Sequence, residues 1–475
     1  MRSFSPFERR LRRAARWALY GSLLSIGALA VAVLLLSRRL WPERGPDEAW
    51  RSIRFAELEE VRLLQDYLRI DTTRATGSVR QGAEFLGREL RAMGLDPVIE
   101  RLGERYTNVW AFLEGEDSRA LVLHNHIDVS PPGDASAWKH PPFSGAIDLP
   151  FIYGRGAFDM KSLTIAQLLA LRDLAQAGGR PRRSVLFLAT GSEEQDSELG
   201  AQWILRQHPE LVGRFWAVLT EGGVVEPVAV DDVKYWGIEF AQKQFAYGWA
   251  CAPTRERLET LQREVGEWGR KQRQPRLHPT VESYLAAYSG SRDHPHQRHL
   301  LARIGHESFD PFLFGTLPRY LRSLFLDEVV FFPVEEVAGE GFRLPLIFHL
   351  LPGSDLDAVR ARLLPDWLTH DLTVALGGPV GAATSSPLDH EVYRTLAELL
   401  RRAHPTSTVG PQFLSWSATD SRFFRELGIP SYGFSPFLFF NTEALRADRA
   451  NERINLPGYI DGVALYRQVV ARLAG

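Results

Sequence analysis

Six side chains in four widely spaced stretches could carry chemistry together. His126 and Asp128 stand in "HNHIDVSPPG", directly after the apolar run "ALVL"; Asp159 stands in "GRGAFDMK", Glu193 and Glu194 in "GSEEQ", and Glu221 in "LTEGG". An apolar run leads into each of these stretches except the second, which opens a helical one. Five carboxylates and one histidine converging at strand ends cannot sit in a cleft without a counter-charge. Divalent cations supply one, and imidazole with carboxylates is a donor set suited to zinc or manganese. Residues i and i+2 of a strand share a face. Asp128 is therefore expected to accept a hydrogen bond from one ring nitrogen of His126 while the other faces a metal, which fixes the tautomer. Pro131, Pro132 and Gly133 then turn the chain away.

Elements that place these residues follow from hydrophobic pattern. "ALVLHNHIDV", "RSVLFLAT" and "FWAVLTEGG" read as buried strands; "MKSLTIAQLLALRDLAQAGG" and "GAQWILRQH" read as helices between them, the first closed by Gly178 and Gly179. Alternating strands and helices predict an α/β fold, with a mainly parallel sheet flanked by helices and chemistry beyond the carboxyl ends of its strands. From Val233 the texture changes to alternating strands ("KYWGIEFAQKQFAYGWACA") and an amphipathic helix ("PTRERLETLQREVGEWGRK"). The α/β texture resumes near Gly377. The expected organisation is a catalytic domain in two parts, 55–232 and 377–475, with an inserted α+β lid domain of the dimerisation type at 233–376.

The N-terminus differs from the rest. Trp17 to Ser37 carries no charge and is long enough to cross a bilayer. Arg2, Arg9, Arg10, Arg12, Arg13 and Arg16 precede it; acidic residues dilute the arginines that follow. This predicts a cytoplasmic basic tail (1–16), an uncleaved transmembrane anchor (17–37), a spacer (38–54) and a catalytic domain on the exported side of the cytoplasmic membrane. No small-x-small cleavage site follows the run.

The remaining composition narrows the function classes. The 475 residues are 45% hydrophobic and 24% charged with a formal net charge of −2, which is globular composition and gives no electrostatic basis for binding nucleic acid. The single cysteine, Cys251, excludes an internal disulfide and any multi-cysteine metal site, and is expected to be a small buried hydrophobe.

In order and spacing, "LHNHIDVSPP", "HPPFSG", "IYGRGAFDMK", "GSEEQ", "EGG", "ATDSRFFRELGIPSYGF" and "NERI" resemble the aminoacylase, carboxypeptidase S and glutamate carboxypeptidase family of two-metal amidohydrolases. The resemblance covers about 55–235 and 377–475. It implies two divalent metals, zinc first with manganese or cobalt as alternatives, and a small peptide or N-acyl amino acid as substrate. It makes His126 a ligand of one metal together with Glu221, Asp159 the bridge, Glu194 a ligand of the other metal, Glu193 the general base and Asp128 the residue that orients His126. It also allows a homodimer.

Three departures from that pattern bear on function. Where the family has a metal-binding histidine before "NER", this chain has Asp448, read here as its replacement. The lid loop that offers an oxyanion-stabilising histidine is missing, and His306 in "IGHESFDP" is a superficial substitute. His349 in "IFHLLPG" stands where an arginine grips the substrate carboxylate, so it is the candidate substrate-binding residue. The leading expectation is a membrane-anchored metallopeptidase or amidohydrolase. The alternatives are an impaired family member that binds ligand as a membrane-tethered protein, and an aminopeptidase of the related two-zinc type.

Overall fold

Apolar residues recur at helical spacing in Glu59–Leu68 (α1), so Val61, Leu64, Tyr67 and Leu68 are buried while the charged face meets solvent. Ser78 caps the next helix, Val79–Ala92 (α2), by accepting a hydrogen bond from the Gln81 N–H. The computed structural model describes residues 53–73, 77–229, 232–289, 314–315, 317, 319–339, 341–381, 384–439, 443 and 446–475. Residues 54–228 and 232–475 belong to one unit, to which everything below refers. Within it follow Val98–Leu102 (β1), Tyr106–Leu113 (β2), Asp117–His126 (β3), the short pair Ala146–Asp148 (β4) and Phe151–Tyr153 (β5), then Lys161–Gln176 (α3). Arg183–Thr190 (β6), Ala201–Gln207 (α4), Phe215–Thr220 (β7), Val224–Ala229 (β8) and Asp232–Gln242 (β9) continue the chain.

A second group comprises Gln244–Ala252 (β10), Arg255–Lys271 (α5), Pro279–Ser289 (α6), Glu328–Phe331 (β11), Glu335–Val337 (β12), Gly341–Leu350 (β13), Leu356–Leu363 (α7) and Thr373–Leu376 (β14). The chain closes with Glu391–Ala403 (α8), Thr408–Leu414 (β15), Ser421–Glu426 (α9), Ser431–Gly433 (β16), Arg453–Asn455 (β17) and Leu456–Ala474 (α10).

The large sheet has nine strands in the order β1-β2-β6-β3-β7-β16-β9-β15, with β8 on β9. Its centre, β6-β3-β7-β16, is parallel, and every residue of β6 is buried, as a strand covered by helices on both faces requires. The β1-β2, β2-β6 and β16-β9 pairs are antiparallel. The sheet is therefore mixed rather than mainly parallel: β1 and β2 are joined by a short connection that antiparallel pairing allows, whereas the outer pair β9-β15 is again parallel. The buried helix α3 packs against α10 and α1.

The smaller sheet has the order β11-β13-β10-β14, with β12 on β13. Leu344, Leu346, Phe348 and Leu350 alternate along β13 and form one core with Leu258, Leu261 and Val265 of α5 and Val359 and Leu363 of α7. Cys251 on β10 is only partly buried. The chain leaves the large sheet at Lys243, beyond the boundary expected at 233, because β9 pairs with β15. β9 and β10 are equally strand-like in composition, so the change of sheet between them has no compositional mark. Lys243 itself is fully buried at the crossing, its Nζ donating to Ser323 Oγ and Glu328 Oε2, each at 3.1 Å.

Among the described residues no helix is long and apolar enough to cross a membrane. The expected tail, the span at 17–37 and all but the last two residues of the spacer lie outside the described residues.

Candidate metal centre

β6, β3 and β7 lie side by side and end at one edge of the large sheet. His126 is the last residue of β3; Glu193 and Glu194 follow β6, and Glu221 follows β7. Beneath them His124 bridges the same three strands, its Nδ1 2.9 Å from Thr220 Oγ1 and its Nε2 3.1 Å from Thr190 Oγ1. Burial holds the His124 ring neutral, its pKa lowered to about 4. The ends of the three strands are thus tied at a fixed spacing.

His126 Nδ1 lies 2.8 Å from the main-chain oxygen of Asp128. A carbonyl oxygen only accepts, so Nδ1 carries the proton and the lone pair of the neutral ring sits on Nε2. Nε2 lies 3.0 Å from Asp159 Oδ1 and 3.6 Å from Glu221 Oε2. The expectation for Asp128 is corrected in its mechanism: its carboxylate is 3.9 Å from Nδ1, and its carbonyl makes the orienting contact instead. The strand ends at His126, so the face-sharing rule no longer applies at Asp128. The carboxylate turns the other way and accepts the N–H groups of Glu193 at 3.1 Å and Glu194 at 3.2 Å. One residue therefore orients the histidine with its backbone and anchors the acidic turn with its side chain.

The two adjacent glutamates diverge. Glu194 accepts from Ser130 N–H at 3.0 Å and Ser130 Oγ at 2.6 Å. The Glu193 carboxylate makes no hydrogen bond or ion pair among the described residues and lines the cleft. Asp159 is held from far along the chain. Glu452, fully buried, accepts the N–H groups of Phe158 at 2.8 Å and Asp159 at 3.2 Å and pairs with the buried Arg155. Asp448 lies beside this pair, 3.6 Å from Arg155 Nη1, in a left-handed backbone conformation (φ 56°).

Charge concentrates here. Burial and the neighbouring Asp159 push Glu221 up to about 8, burial and Asp159 push Asp448 up to about 6, and burial with nearby carboxylates raises Glu193 and Glu194 well above the usual range. Burial opposes a charge on His126, yet Glu221 and Asp159 hold its pKa well above the usual value. Two sets of donor atoms, His126–Glu193–Glu221 and His126–Asp159–Glu194, each lie within 4.8 Å of one another. Buried carboxylates in mutual repulsion around a pre-oriented imidazole are relieved by divalent cations, so these residues fit a metal centre. Asp448 belongs to neither close set, although it lines the same cavity as Asp159 and Glu194.

Two cavities meet at Glu193 and Glu194. One, of 1260 Å³, runs between the turn after β6 and strands β10 and β13 of the smaller sheet, and is lined by Tyr106, Arg206, Tyr247, Trp249, Phe332 and Arg422 among others. The other, of 500 Å³, runs past Asp159 and Glu221 toward Trp416 and Phe437. The expectation for His349 is corrected: it lines neither cavity. It is 7% exposed on β13 and stacks edge-on against Phe245, and burial and Lys243 lower its pKa to about 4, which leaves the ring neutral near pH 7. His306 lies outside the described residues. Arg422, which sequence reading did not single out although it stands in "ATDSRFF", is the buried cation of the larger cavity, Arg206 being exposed. It is 2% exposed, and no carboxylate pairs with it among the described residues. Ser130, Arg155 and Glu452 were likewise without an assigned role, although each lies in or beside a quoted motif.

Residues 122–472 match the model of Peptidase family M20/M25/M40. The chain belongs to that family. Curated relatives of this M20 chain include a succinyl-diaminopimelate desuccinylase of Alkalilimnicola ehrlichii, 35% identical over 148 residues, 30% of this chain and 38% of the relative. Another, from Rhodopseudomonas palustris, is 44% identical over 93 residues, 19% of this chain and 24% of the relative. The chain thus spans well under half the length of these relatives. Solved structures of similar fold include the M20 metallo-carboxypeptidase Sso-CP2 of Sulfolobus solfataricus (TM-score 0.64, 19% identity, 87% of this chain and 99% of that one). The dipeptidase Dug1p of Saccharomyces cerevisiae gives a TM-score of 0.65 at 14% identity, over 88% of this chain and 96% of that one. The expected placement on the exported face of a membrane is withdrawn. It rested on the hydropathy of residues 17–37, the arginines that flank them and the lack of a cleavage site; no helix among the described residues is long and apolar enough to cross a bilayer, and the curated relatives are desuccinylases.

Proposed function

We propose that this chain hydrolyses the amide bond of a small peptide or N-acyl amino acid, with Glu193 as general base. The observation that carries the reading is the contrast between adjacent glutamates. Ser130 pins the Glu194 carboxylate beside Asp159, while the Glu193 carboxylate stays unengaged at the junction of both cavities. His126 and Glu221 would hold one cation, Glu194 and Asp448 the other, with Asp159 between them. Imidazole with carboxylates suits zinc, and also manganese or cobalt. Bound divalent cations supply Lewis acidity, acidifying water and polarising a carbonyl. Glu193 takes a proton from the attacking water and delivers it to the leaving nitrogen. Water oxygen adds to the carbonyl carbon, the C–N bond breaks, and a carboxylate and an amine leave. The side-chain carboxylate of Asp128 keeps Glu193 in place through its backbone N–H.

Arg422 takes the role first given to His349 and pairs with the substrate carboxylate. A nearly buried guanidinium without a carboxylate partner is suited to a bidentate anion. Arg422→Leu is expected to raise KM for a carboxylate-bearing substrate about 10- to 100-fold, more than it lowers kcat. A substrate with a blocked carboxylate should lose the difference between the two proteins; an equal effect on both substrates refutes the assignment.

The complete donor sets and an unengaged Glu193 favour catalysis over the tethered binding protein. Elemental analysis of the purified chain, with hydrolysis assays on N-acyl amino acids and dipeptides, tests the reading: a metal-loaded chain that leaves both intact sinks it. In the same analysis Asp448→Ala is expected to lower the content from about two metals per chain to about one. Unchanged content would confine Asp448 to its contact with Arg155.

A further inference from the structure

The smaller cavity is chemically unlike the larger one. Beyond the acidic donors its wall is largely aromatic and aliphatic: Phe158, Leu163, Leu414, Trp416, Phe437 and Phe439 face it, its other polar side chains are the hydroxyls of Ser417, Thr419 and Ser435, and no lysine, arginine or histidine lines it among the described residues. The wall is preorganised by packing. Phe158 and Phe439 have ring centroids 4.3 Å apart, Phe437 packs on Tyr459 at 5.6 Å, and Gly462 of α10 leaves room for the Phe437 ring, which a Cβ there would meet at 2.4 Å. Phe437 and Phe439 are buried, while Trp416 is 39% exposed at the rim.

The two cavities place opposite demands on the two halves of an amide substrate. The amine half of an N-acyl amino acid carries the carboxylate, which belongs beside Arg422 in the larger cavity. The acyl half then falls on the other side of Glu193, in the aromatic cavity. A second carboxylate on the acyl half would be seated against this aromatic wall, where no lysine, arginine or histidine among the described residues receives it. Resting on the amide-hydrolase reading above, we infer that the acyl group this chain accepts is apolar, a medium-length aliphatic or aryl chain seated against Phe158, Phe437, Phe439 and Trp416, and not a dicarboxylic acyl group such as succinyl.

The test uses the full chain loaded with metal and one amino acid acylated in turn with acetyl, octanoyl, benzoyl and succinyl groups. The octanoyl compound is expected to exceed the acetyl compound roughly 100-fold in kcat/KM, and the succinyl compound by more. Trp416→Ala should narrow the octanoyl-to-acetyl ratio about tenfold, a ratio that does not depend on the fraction of protein folded. Succinyl hydrolysed as well as octanoyl, or a ratio unmoved in Trp416→Ala, overturns the inference and leaves the hydrolase reading standing. Hydrolysis of none of the four sinks the hydrolase reading, and calorimetry of free octanoate and succinate then decides the cavity. Octanoate binding at least about tenfold tighter upholds the apolar subsite; equal or tighter succinate binding overturns it.

Discussion

Glu193→Gln is expected to lower kcat by roughly 10²- to 10⁴-fold while the metal content stays that of the parent chain. The substitution keeps the shape and size of the side chain and removes its capacity to take a proton. Its neighbour does not share this effect, because the Glu194 carboxylate is fixed by two donors from Ser130 and sits with His126 and Asp159. Single-turnover kinetics and elemental analysis on one preparation separate the roles. Turnover undiminished in Glu193→Gln refutes the base. Metal lost together with activity moves Glu193 into the ligand set, where its proximity to His126 and Glu221 would also place it.

Glu452→Ala carries the largest expected cost in stability, about 3–5 kcal/mol, measured by chemical denaturation of the metal-free chain. Arg155 and Glu452 are both buried, so removing the carboxylate strands a guanidinium whose remaining anionic neighbour is Asp448 at 3.6 Å. The N–H groups of Phe158 and Asp159 lose their acceptor at the same time. Metal affinity is therefore expected to fall with stability, since Asp159 loses what positions it. The double variant Arg155→Met with Glu452→Met should regain much of the stability, because the orphaned charge is gone, and should not regain metal affinity. A loss below about 1 kcal/mol in the single variant would show that the pair is solvated and structurally dispensable.

What the sequence disclosed depended on the range of the interaction. His126, Glu193, Glu194 and Glu221 were legible because each follows a run of buried strand residues, and parallel strands end together. Asp128 was legible as a residue of the site but not in its action, since a two-residue periodicity holds only while the strand lasts. Arg155, Ser130 and Glu452 act through contacts across large sequence separations, for which a single chain offers no pattern. His349 was misplaced because its position relative to "LPG" says where it lies along β13 and not which face of the smaller sheet it meets. The step from β9 to β10 was invisible for a related reason: the two strands are similar in composition, and what divides them is the identity of their partners.

The clasp of Glu452 on the Asp159 loop also has a consequence in time. The two residues are 293 positions apart. At ordinary rates of protein synthesis the later one leaves the ribosome roughly 15–60 s after the earlier. For most of that interval the growing chain exposes His126, Asp159, Glu193, Glu194 and Glu221 without the contact that sets Asp159 among them. A nascent or prematurely stopped chain therefore holds most of the donors and lacks the arrangement, and tight metal capture is expected to coincide with the docking of the C-terminal segment rather than with the appearance of the proposed ligands.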